Sequence, residues 1–227
     1  MTAKLALINK QDTCEIVRDQ IAAIIAIEMA NQFELATAAA EDDEDIIPAD
    51  WSASIYIERS HPIPIDYLPA INVSFDNDRF DNKNSNMIDR QRATGIFYID
   101  CYAKKDTTDA MSGDELTSRD ADRLARLARN IIMSQEYTYL ALGYRELGTG
   151  KNLVTRRYIP KREKLRPDMK QEGYENVVVC RLTLEVEYDE LSPQVVMNDL
   201  ELLIFSCKRE SSSQIYFTAE YDLTEGD

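Results

Sequence analysis

The stretch Asn176 to Leu191, NVVVCRLTLEVEYDEL, alternates almost without a break from Val178 onward. Val178, Cys180, Leu182, Leu184, Val186 and Tyr188 share one parity, and Val179, Arg181, Thr183, Glu185, Glu187 and Asp189 share the other. Successive side chains of a strand point to opposite faces, so this spacing predicts a long strand with one dry face and one charged face. The dry face must be covered by an apolar layer. The charged face is left to look at solvent, at a neighbouring subunit, or at a cargo that has to slide past.

The rest of the chain supplies sheet neighbours and covering helices. Asp12-x-x-Glu15 reads as a capping box, and Val17, Ile21, Ile24 and Ile27 follow helical spacing towards Ala40. The run EDDED (Glu41 to Asp45) and Pro48 close that helix, and a like-charge run so short reads as a solvated loop. Strand composition follows in SASIYIER (Ser52 to Arg59), in LPAINVSFD (Leu68 to Asp76) and, after a polar loop NDRFDNKNSN, in GIFYIDCYA (Gly95 to Ala103). The last is apolar on both parities, as suits a central strand.

A second capping box, Ser112-x-x-Glu115, opens a helix that runs to about Gln135. Its apolar stripe is Leu124, Leu127, Ala128 and Ile131, while Arg119, Arg123 and Arg126 line another face at i, i+4 and i+7. A glycine-bearing loop and a basic strand-like segment, LVTRRYIPK, lead into the alternating strand. The tail reads as a hairpin, Leu200 to Cys207 against Gln214 to Asp222. Strands and helices segregate more than they alternate. The expected fold is therefore α+β: an antiparallel-rich mixed β-sheet packed by two main helices, with an added C-terminal β-hairpin. The expected organisation is a main domain over 1–193 and a hairpin extension over 194–227.

Charge and cysteine usage narrow the function classes. The 26 basic and 41 acidic residues leave a net charge of −15, which argues against duplex nucleic-acid binding by the molecule as a whole. The four cysteines form no CxxC pair and read as reduced thiols in a cytoplasmic setting. The longest uninterrupted apolar run, Ile21 to Ile27, is far short of the ~20 residues of a membrane span, so no membrane anchor is expected.

Searches for catalytic chemistry return little. His61 is the single histidine and sits in a proline-rich turn, which leaves no zinc pair and no proton shuttle. Asp76, Asp78 and Asp81 invite a calcium-loop reading, but Phe80, Asp81 and Met87 occupy positions where that loop needs an acceptor, a glycine and a glutamate. Gly148 to Lys151 lacks the remainder of a phosphate-binding loop. Asp100 with Glu185 or Glu187 is a weak carboxylate pairing for a metal. No catalytic residue, metal or cofactor is expected.

One local departure in charge is strong. Lys151 to Lys170, KNLVTRRYIPKREKLRPDMK, holds eight basic residues against Glu163 and Asp168. A subunit interface, a solvated loop and a nucleic-acid contact all fit it, with Tyr158 as its one aromatic for base stacking. The candidate interface or lumen residues are Arg156, Arg157, Lys161, Arg162 and Lys164 here, Glu185, Glu187 and Asp189 on the alternating strand, and Arg119, Arg123 and Arg126 on the second helix.

In layout, the leading helix, GIFYIDCYAKKDT, the helix DADRLARLARNIIM, the arginine-rich returning segment and VCRLTLEVEYDELSP resemble the tail terminator, or tail-completion, proteins of tailed bacteriophages, over roughly Asp12 to Pro193. The C-terminal hairpin and the Gln32 to Ile47 segment depart from the compact form of that family. The resemblance implies a homo-oligomeric ring, usually a hexamer, that caps the tail tube and stops its polymerisation. It implies the tail tube protein and the head–tail connector or stopper protein as partners, and the tail sheath where the tail is contractile. It places the protein in the virion neck after assembly in the host cytoplasm, with DNA passing the lumen unbound. Another neck component, such as a head-closure or adaptor protein, and a small cytoplasmic binding protein or enzyme are the alternatives.

Overall fold

A computed structural model describes residues 11–59, 68–81, 90–108, 111–143, 152–165, 177–191, 202–208 and 215–222. Two compact units divide the chain: Gln11–Ser192, and the remainder. Within the first, helix α1 (Thr13–Ala39) precedes strands β1 (Ser54–Ile57), β2 (Ala70–Phe80) and β3 (Arg90–Lys104). Helix α2 (Gly113–Ile132) and strands β4 (Val154–Leu165) and β5 (Val177–Leu191) complete it. The five strands are ordered β1-β2-β3-β5-β4. β1 runs parallel to β2, and every other neighbouring pair is antiparallel. This is the mixed, antiparallel-rich α+β sheet with two helices that the sequence periodicities predict.

The alternating strand sits in the middle of the sheet. β5 pairs with β3 without a break from Leu191 opposite Arg90 to Val177 opposite Lys104. The parity that was expected to be dry is dry: Cys180, Leu182, Leu184, Val186 and Tyr188 are all fully buried. They meet Phe97, Ile99 and Cys101 of β3, and then Val17, Ile21 and Ile25 of α1 and Leu124, Ala128 and Ile132 of α2. Each large aliphatic side chain buried in this way contributes about 1.5–3 kcal/mol. Gly95 of β3 has a packing role, since a Cβ there would fall 2.7 Å from the ring of Tyr188. The missing side chain is the space that the Tyr188 ring occupies.

α1 begins where expected, with the Asp12 amide donating to the Glu15 carboxylate at 3.3 Å. It is apolar nearly all round, which is why it satisfies by length and composition the requirement for crossing a membrane, with a mean hydropathy of 1.3 in its best window. Counting uninterrupted apolar runs overlooked this, because Arg18, Asp19 and Glu28 break the run without changing the average. In the fold, Val17, Ile21, Ala22, Ile24, Ile25 and Met29 are buried in the core. Ile27, Phe33 and Leu35 remain exposed.

Three local expectations are corrected. The Ser112 side chain makes no capping bond. Instead the Gly113 amide donates to the Thr107 hydroxyl at 3.1 Å, and Glu115 is held by Arg119 one turn on. β2 continues through Asn77 to Phe80, which the polar composition had placed in a loop. A register shift between Phe75 and Asn77 absorbs the change, and those residues keep pairing with Ile96 to Ala93. α2 ends at Ile132, short of Gln135, where a short 3-10 turn takes over. In the second unit, β6 (Leu202–Lys208) and β7 (Ile215–Asp222) form the expected antiparallel hairpin.

Candidate interaction site

The polar face of β5 is occupied by its own chain. Arg181 grips the carboxylate of Asp100, directly opposite on β3, through two bonds of 2.7 Å, and lies over the Tyr98 ring at 4.2 Å. Asp100 is almost fully buried, so this bidentate pair supplies the compensation that a buried carboxylate requires. Glu185 accepts from the Tyr158 hydroxyl on β4, a bond that raises that phenol above its ordinary value. Glu187 lies 3.7 Å from Arg156 of β4 and Asp189 3.5 Å from Arg92 of β3. Asp100 therefore meets neither Glu185 nor Glu187. The strand register places those two opposite Ile96 and Thr94, so the weak metal pairing is not assembled. Cross-strand partners, a term that alternation cannot reveal, account for the charged face.

The basic segment is a strand at the edge of the sheet. Among the described residues β4 pairs with β5 on one side alone, with register shifts between Val154 and Arg156 and between Tyr158 and Lys161, and carries Pro160 in its middle. Lysines, arginines, a proline and bulges are the features by which natural edge strands avoid pairing with foreign strands. Its cations then separate by face. Arg156, Tyr158, Lys161 and Glu163 alternate on the face away from the helices, where Lys161 holds Glu163 at 2.7 Å. Arg157, Arg162 and Lys164 turn towards α2.

Those three clamp α2 from the side. The Arg157 guanidinium donates to three backbone carbonyls, Ile132 and Ser134 at 2.6 Å and Thr138 at 2.7 Å. A helix C-terminus presents unpaired carbonyls with partial negative charge, and Arg157 satisfies them from a half-buried position. Burial lowers its pKa, though a guanidinium remains charged. Arg157 is thus committed within its own chain, and the charge reading that offered it to a partner gives way to a structural one. Arg162 and Lys164 both donate to Asp122, Lys164 at 2.7 Å, and Lys164 also reaches the Ser118 hydroxyl at 2.6 Å. Burial alone would raise the Asp122 carboxyl, but the bonds from Lys164 and Arg162 outweigh it and leave it below its usual value.

The arginine row of α2 also divides. Arg119 pairs with Glu115 at 2.6 Å on an exposed turn. Arg123 is largely buried, holding Asp120 of its own helix and Asp50 of the 3-10 helix Pro48–Trp51. Arg126 has no side-chain partner among the described residues, and neither does Arg129, three positions on. These two, with Asn130, Ile159, Pro160, Lys161 and Arg162, line an open cleft of about 400 Å³ between α2 and β4. Arg126, Arg129 and Arg162 bring three cations to this cleft, which Lys161 borders from the strand while its ammonium turns to Glu163 on the other face. Arg129 was missed because the i, i+4, i+7 count stopped at Arg126, although i+3 lies on the same flank.

The remaining candidates take ordinary places. Asp76 accepts from the Tyr98 hydroxyl and Asp78 from the buried Tyr188 hydroxyl, both at 3.0 Å. Cys101 and Cys180 face each other across β3 and β5 as free buried thiols, with burial pushing both pKa values up. Among the described residues no group of three histidine, cysteine or acidic side chains is placed to hold a metal. His61, the Gly148 to Lys151 loop and the outer parts of the basic segment, Lys151 and 166–170, lie outside the described residues. No protein-family model matches the chain, and no curated protein matches it.

Proposed function

We propose that this chain is the repeating subunit of a homo-oligomeric ring, a bacteriophage tail terminator that caps the tail tube, halts its growth and joins it to the head connector. The observation that carries the reading is the distribution of charge on a rigid two-layer frame. The carboxylates of β5 meet partners in their own chain, while Arg126 and Arg129 on one flank have none among the described residues. A surface of that kind, directed sideways from a sheet edge, suits lateral contact between copies. The resemblance of the segments that form β3, α2 and β5 to the terminator family supplies the specific role. The net charge of −15 supports passage of DNA without adhesion, since phosphate sticking requires a basic wall. Partners on this reading are the tube protein, the connector or stopper protein, and the sheath in a contractile tail.

Electron microscopy of tails assembled with and without this protein tests the proposal. Tubes of uniform length with a ring at the head-proximal end are expected in its presence. Overlong or headless tails are expected in its absence. Normal, head-joined tails made without it would reject the role.

A further inference from the structure

The basic cleft has a complement on the same molecule. Glu41, Asp42, Asp43, Glu44 and Asp45 leave the end of α1 as an exposed turn, and none of them forms an ion pair among the described residues. Ile47, two residues on, is 57% exposed. An acidic tongue with an apolar residue at its base therefore stands opposite in character to a cleft with Arg126, Arg129 and Arg162 around Ile159 and Pro160. Arg126 and Arg129, without ion-pair partners among the described residues, and the crowded carboxylates of the tongue would each be relieved by meeting the other.

Position decides whether they meet within a copy or between copies. The 3-10 helix that ends the acidic segment packs on α1 and is tied by Asp50 to Arg123. The cleft lies where α2 meets β4, along the seam that Asp122 ties to Arg162 and Lys164. Among the described residues no ion pair joins tongue and cleft within one chain. We propose that the cleft between α2 and β4 seats the Glu41–Asp45 turn of a second copy of this chain. The contact is head to tail, so each copy offers one tongue and one cleft, and the series closes on itself when its rotation divides a full circle. This assignment rests on the ring reading for closure and adds the residues that make the contact.

Sedimentation of the full chain, alone and with tail tubes, tests it through three proteins. One is the wild type, one carries Arg126→Glu with Arg129→Glu, and one carries Asp42→Lys with Glu44→Lys. All of the altered side chains are exposed and have no ion-pair partner among the described residues, so unchanged thermal unfolding is expected and serves as the folding control. Each variant alone should associate about tenfold or more weakly at low salt, with the difference shrinking as screening increases. An equimolar mixture of the two variants should recover association, because the glutamates placed in the cleft of one meet the lysines placed in the tongue of the other. Wild-type association that both variants retain overturns the seat while leaving the ring intact. A cleft variant that still associates but loses affinity for a single-stranded oligonucleotide assigns the cleft to phosphate and also overturns it. A wild-type chain that is monomeric both alone and on tubes defeats the ring reading, and the seat with it.

Discussion

Arg157 shows how much one side chain decides at the residue scale. By composition it is one of eight cations in a basic run, and by position it closes the end of α2 with three bonds to carbonyls. Hydrogen bonds from a charged donor contribute about 1.5–3 kcal/mol each before non-additivity, and the three here share one guanidinium. Arg157→Ala should cost about 2–4 kcal/mol in a denaturant titration, with the whole chain losing cooperativity around Ile132 to Thr138 first. Arg157→Lys should recover less than half of that, because an ammonium cannot reproduce the planar fork. The neighbouring Arg156, which is 65% exposed on the opposite face, provides the control. Its replacement by alanine should change stability by no more than about 0.5 kcal/mol. Equal losses at the two positions would refute the capping role.

Among elements, β4 is where sequence pattern and structure part most clearly. The dry face of β5, the central position of β3 and the two helices follow from periodicity, because burial imposes a period on the chain and the period is visible in one dimension. The fate of the charged face does not follow. Which cation meets Glu185 or Asp100 depends on register between strands that are far apart in sequence, and the order β3-β5-β4 is not written in any local spacing. The cleft was half legible: Arg126, Lys161 and Arg162 were identified from charge, whereas Arg129 and the apolar floor needed the packing of β4 beside α2. That packing rests on Asp122. Its carboxyl is partly exposed, so screening limits what Asp122→Ala can cost to about 1 kcal/mol at neutral pH. The native carboxyl is held below its ordinary value, so its contribution is present above the unfolded pKa, near ~3.9, and is lost as pH falls through the lowered native value. Wild type and Asp122→Ala should therefore differ in unfolding midpoint at pH 7 and converge in strong acid. A gap that persists unchanged below pH ~2 would mean that packing, not charge, supplies the effect.

For the whole molecule, the phenols set a limit on the alkaline side. Tyr188 is fully buried against Phe97 and the Gly95 gap, and its hydroxyl donates to Asp78 at 3.0 Å. Ionising it would place a phenolate in an apolar core beside a carboxylate, so burial first and Asp78 second push its pKa far up. Tyr102 is raised in the same way by burial and by Asp100, and Tyr137 is pushed up to about 12, first by its bond to Glu28 on α1. Each of these groups holds its proton in the folded chain at a pH where the unfolded chain releases it. The sign follows directly: their contribution is complete below the unfolded value near ~10 and declines as pH rises above it. A buried tyrosine that stays protonated costs about 1.4 kcal/mol of stability per pH unit across that window. The denaturation midpoint should hold steady from pH 7 to about 9.5 and then fall steeply. Lysine deprotonation acts in the same range, so the informative comparison is with Tyr188→Phe. That variant should lose about 1 kcal/mol at pH 7, where Asp78 loses a donor, yet decline less steeply above pH ~10. Parallel curves for the two proteins would show that Tyr188 ionises freely and that the core around Gly95 admits water.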